Sequence, residues 1–113
     1  MQQVDSEAND ATQDVQGGSY YFTVDVEKPH GKPFGLSTSS NNEGVEIHHV
    51  KPNTIASQWN AKATEAGFPQ DRLQYQDIIL CVNGVRGTSS VLGEEMAKAT
   101  DLLLVIKRQL MDS

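Results

Sequence analysis

The stretch Asp77-Ile78-Ile79-Leu80-Cys81-Val82-Asn83-Gly84-Val85 constrains this chain most, because five apolar residues in a row end abruptly on an Asn-Gly pair. Asn-Gly readily takes the positive-φ conformations of a two-residue turn between strands. A short apolar run with so sharp an end reads as a buried strand, and a buried strand needs partners. In Tyr20–Glu27, Tyr20, Phe22, Val24 and Val26 fall on one side and Tyr21, Thr23, Asp25 and Glu27 on the other, the period of a half-buried strand. Lys28–Pro33 breaks it with two prolines and a glycine. A second extended stretch runs from Phe34-Gly35-Leu36 through Ser40. A third strand, Gly44 to Val50, follows a polar Asn-Asn-Glu-Gly turn, and Asp101–Arg108 closes the chain as a buried strand ending in basic residues.

Two segments have helical spacing. Between Pro52 and Gly67, Ile55, Trp59, Ala63 and Ala66 share one side, with Asn53 or Thr54 as the N-cap and Gly67 as the stop. Ser90 to Ala99 forms the second helix, with Leu92, Met96 and Ala99 on its core face. The predicted order is strand, strand, strand, helix, strand, strand, helix, strand, the fifth strand following Asn83-Gly84. The fold class is mainly β, an antiparallel sheet or partial barrel capped by two helices.

Composition narrows the function. The formal charge of -6 argues against generic nucleic-acid binding, which relies on lysine and arginine. No apolar run is long enough to span a bilayer and the N-terminus does not resemble a signal peptide, so a cytoplasmic location is expected. Cys81, the only cysteine, reads as a buried thiol. Residues 1–19 carry Asp5, Glu7, Asp10 and Asp14 with no lysine or arginine and end in Gly-Gly-Ser, the composition of a disordered acidic leader or linker. The folded domain is expected over 20–109 and a short tail over 110–113. Adjacent strand residues face opposite ways, so His48 and His49 do not make a chelating pair. No nucleophile or metal motif is present, and neither enzymatic activity nor a metal or other cofactor is expected.

The residues resemble the PDZ domains, from about Tyr20 to Arg108. Pro33-Phe34-Gly35-Leu36 is similar to that family's carboxylate-binding loop, and Gly44-Val45-Glu46-Ile47 to its third strand. Leu73-Gln74-Tyr75-Gln76-Asp77-Ile78-Ile79-Leu80-Cys81-Val82-Asn83-Gly84 resembles its most specific segment. Gln76 stands where the family usually has glycine, so the turn before Asp77 is made differently or at some cost. The segment Ala61–Asp71 is longer than usual and is expected to extend the first helix and form a surface loop.

The resemblance implies a non-catalytic interaction module. It would bind the C-terminal carboxylate of partner peptides by strand addition between the second strand and the second helix, the peptides ending in an apolar residue and the isolated domain being monomeric. Backbone amides of Phe34, Gly35 and Leu36 would form the anion nest, with charge from Lys32 ahead of Lys28 or His30, and Gly35 would let the ligand approach. Phe34, Leu36, Thr38 and Met96 would line the terminal-residue pocket, enlarged by Gly93. Ser37, Ser39, Glu46 and His48 would meet upstream ligand residues. Ser89, where the family's specificity residue falls, favours no ligand class and could equally cap the second helix. The rival readings are recognition of internal segments or folded domains, dimerisation, and a regulatory module of a larger protease.

Overall fold

Alternation in the sequence carries directly into a sheet. The structure, a computed structural model, describes residues 18–110; of the leader read at 1–19, residues 1–17 lie outside them, as do residues 111–113 of the tail, and Ser19 already belongs to the first strand. Strand β1 is Ser19–Glu27, β2 Leu36–Asn41, β3 Gly44–Val50, β4 Ile78–Val82 and β5 Asp101–Gln109, with helix α1 over Ile55–Glu65 and α2 over Ser89–Lys98. They form one antiparallel sheet in the order β1-β5-β4-β3-β2. β1 pairs with β5 from Ser19 opposite Gln109 to Glu27 opposite Asp101, so the first and last strands lie side by side.

The inward residues of four strands make the core. Val24, Ile47, Ile79, Val82, Leu102, Leu104 and Ile106 are fully buried, and Leu92 is the residue by which α2 enters them. Burying a side chain of this size stabilises by roughly 1.5–3 kcal/mol, so Leu92 fixes which face of α2 turns to the sheet. Cys81 is buried as expected.

Several local expectations are met and others corrected. Thr54 caps α1: its Oγ1 accepts from the Ser57 N–H and its own N–H donates to Ser57 Oγ. Ala66 ends the helix and Gly67 follows at φ 87°. The fifth predicted strand does not form: after Asn83-Gly84 only Val85 makes a bridge, back to Val82, because the chain turns at once into α2. That helix begins at Ser89 rather than Ser90, and its cap is Thr88, not Ser89. His48 and His49 are both exposed, at a register shift where Ser37 faces His49 and Thr38 faces Ile47. Gln76 has φ 74°, so the turn before Asp77 keeps the left-handed geometry that suits glycine and Gln76 adopts it.

The long segment after α1 is held by side chains. A 3-10 turn spans Pro69–Asp71. Trp59 Nε1 donates to the Asp71 carbonyl at 2.8 Å, and Asn60 exchanges bonds with both backbone groups of Leu73 at 3.0 and 2.7 Å. Arg108 grips the buried Asp77 carboxylate with two bonds of 2.8 Å, donates to the carbonyls of Gln70 and Arg72, and stacks over Phe22. None of this reaches β2 or α2.

Candidate functional site

β2 is an edge strand, and α2 lies beside it. Between them is a cavity of about 580 Å³, lined by Lys28 and residues 31–36, by Thr38, Ser39, Ser40 and Val45, and by Ser89, Ser90, Gly93, Met96 and Ala97 on the helix.

Gly35 is constrained from the α1 side of the loop. Its φ is 109°, and a Cβ built on it would lie 2.2 Å from Thr54 Oγ1 and 2.3 Å from Thr54 Cβ. The close approach that demands glycine within the chain is that of the α1 cap, Thr54, to the loop. That packing orients the loop. The Phe34 carbonyl accepts from Ala56 N–H at 3.0 Å and the Gly35 carbonyl from Lys51 N–H at 2.9 Å. In a trans peptide the following N–H points opposite to the carbonyl, so the amides of Gly35 and Leu36 are turned away from Ala56 and Lys51, and both residues line the cavity.

The three cations named from the sequence are placed differently from one another. Lys32 is exposed at the rim. Lys28 is only 2 % exposed and lines the same cavity. Its ammonium donates to the Ala97 carbonyl at 3.3 Å, near the C-terminal end of α2, where the helix dipole favours a cation. No ion pair neutralises it among the described residues. The signal was present in the sequence: Lys28 continues the inward series Tyr20, Phe22, Val24, Val26 by one more alternation. His30 is exposed and is not among the lining residues.

The other sequence-predicted residues divide into two groups. Phe34 is buried in the core, and Leu36 and Met96 pack against it while reaching the cavity. Thr38 is an exposed polar wall, and a Cβ at Gly93 would meet nothing within 4 Å. Ser37, Glu46 and His48 lie off the cavity, while Ser39 belongs to its wall. Ser39 Oγ and His48 Nε2 are 2.7 Å apart, Glu46 accepts from Asn41 at 3.2 Å, and the His48 ring meets Tyr75 edge-on. Ser89 does line the cavity, but its hydroxyl bonds Ser40 Oγ at 2.7 Å.

Comparison with solved structures gives a match of probability 1.00 to one described as INAD PDZ45 in complex with NG2 peptide, with a TM-score of 0.62, 24% identity and 80% of this chain covered. The fold is that of a PDZ domain. The match spans 42% of the neighbour's chain. No protein-family model and no curated protein matches the sequence. Neither the Gln76 turn nor the pinned segment after α1 contributes a residue to the lining of the β2–α2 cavity. Among the described residues no group of three or more histidine, cysteine, aspartate or glutamate side chains is placed to hold a metal, and no helix is long and apolar enough to cross a membrane.

Proposed function

We propose that this domain is a non-catalytic interaction module that binds the C-terminal carboxylate of partner peptides, the peptide adding as a strand to the free edge of β2 alongside α2. One observation carries the reading: a buried lysine, Lys28, shares a cavity with two backbone amides whose carbonyls are tied elsewhere. Successive amide donors form a nest for an anion, and an ammonium held out of water favours a carboxylate more than a rim lysine does. The exposed edge of β2 offers the main-chain ladder, a known mode of peptide capture. The solved neighbour, itself a peptide complex by its description, agrees with peptide binding in general terms. Phe34, Leu36, Thr38, Gly93 and Met96 then receive the last side chain, and Ser37, Ser39, Glu46 and His48 flank the residues before it. In this reading the partners are proteins with an apolar C-terminal residue, and Lys28 takes the role first given to Lys32.

Paired peptides with a free or an amidated C-terminus test this. Charge-assisted bonds to a carboxylate contribute about 1.5–3 kcal/mol each, so amidation should weaken binding by about tenfold or more. Equal affinities by calorimetry would turn the assignment to internal segments.

A further inference from the structure

Ser40 on β2 and Ser89 in the first turn of α2 touch through their hydroxyls, Oγ to Oγ 2.7 Å. They join the two walls of the groove at the end away from Lys28 and Gly35. A strand added to β2 lies about 4.7–4.9 Å from it, and its inward side chains need further room before the helix. Two serine side chains in contact leave no such room. From Leu36 to Ser40 the strand advances four residues, roughly 13 Å at about 3.3 Å each. That length takes about four extended ligand residues, counted back from a terminus held at Gly35 and Leu36. The bridge is not a by-product of capping, since Thr88 caps α2 and Leu92 anchors it.

We infer that Ser40 is a specificity-determining residue: its bond to Ser89 closes the groove behind the last four ligand residues, so a longer ligand must break the bridge before it can pair with all of β2. This inference rests on the terminal-carboxylate reading above and adds to it the length of peptide the free protein selects.

The test uses the tightest binder from a C-terminal peptide library, as an octapeptide and as its own last four residues, against the wild-type chain and Ser40→Ala. One hydrogen bond no longer has to be broken, so the octapeptide-to-tetrapeptide affinity ratio should rise about three- to tenfold in the variant. A second measurement needs no ligand. Urea unfolding of Ser40→Ala, Ser89→Ala and the double variant should be non-additive, the double losing no more than either single, because both remove one bond. Additive losses would overturn the bridge. Non-additive losses with an unchanged affinity ratio would overturn the length rule while keeping the bridge. If no library peptide with a free carboxylate binds either protein, the terminal-carboxylate reading fails and the length rule falls with it, while the urea cycle still reports on the bridge.

Discussion

Gly35 and Gln76 both sit at positive φ, 109° and 74°, under opposite constraints. At Gly35 a side chain would collide with Thr54, so Gly35→Ala combines backbone strain with overpacking and should cost about 2–4 kcal/mol. Gln76 is exposed and bears only the left-handed penalty of about 1–2 kcal/mol, part of which glycine would return as lost chain entropy. Gln76→Gly should therefore stabilise by about 0.5–1 kcal/mol, and urea midpoints of the two variants should move in opposite directions. Gly93 presents a third case, a glycine inside a helix at a cost of about 1 kcal/mol relative to alanine, beside open space. Gly93→Leu should leave stability no lower but fill the cavity. Peptides ending in phenylalanine or leucine should then weaken much more than those ending in valine, whereas an equal loss for all three endings by calorimetry would show that the open space does not select the terminal residue.

Elements here are joined by polar side chains as much as by the core. Tyr20 on β1 donates its hydroxyl to Asp71 in the 3-10 turn. That bond, helped by burial and by the carboxylate charge and opposed by Arg108, raises Tyr20 above its ordinary value of 10.0. The folded protein thus holds the phenolic proton more tightly than the unfolded chain. This stabilisation is complete below pH 10 and is lost as pH rises through the higher folded value. Lys107, raised chiefly by its bond to Glu43, adds a loss of the same sign. Tyr20→Phe should lose stability less steeply than wild type above pH 10, leaving only the Lys107 contribution; urea midpoints from pH 7 to 11 would show parallel curves if the Tyr20 bond does not form. The five strands that form and both helices were legible because each depends on periodicity and punctuation within about ten residues, as in Tyr20–Glu27 or at Thr54 and Gly67. The strand expected after Asn83-Gly84, by contrast, is reduced to one bridge. Bonds such as Tyr20 to Asp71 or Ser40 to Ser89 were not legible, because they join residues 51 and 49 positions apart. The lining of the cavity was legible from the resemblance, Lys32 included, whereas the burial of Lys28 was not read, although the alternation of β1 carries it inward.

At the scale of the whole molecule, the sheet has two edges with different surroundings. β2 faces the cavity and α2, whereas β1 is reached by α1 and the 3-10 turn. The long edge of β1 carries Asp25 and Glu27 pointing outward, charges that discourage unplanned strand pairing. β1 and β5 also bring the two ends of the described chain together, with Leu110 N–H donating to the Gly18 carbonyl at 2.8 Å. That closeness has a mechanical meaning. Antiparallel ladder bonds run across the strands, and a pull applied between residues 18 and 110 acts along those bonds at one end of the ladder. The load falls on one pair at a time, from Ser19 and Gln109 inward, as in a zipper and not as in a lap joint. Stretched by these ends in a force spectrometer, the domain should open at a much lower force than when the same strands are pulled from opposite ends, for instance through handles at residues 27 and 110. Equal forces in the two geometries would mean that the outer pair of strands does not set the mechanical threshold; a lower force from the chain's own ends would make this a domain that yields readily to tension passed along the chain.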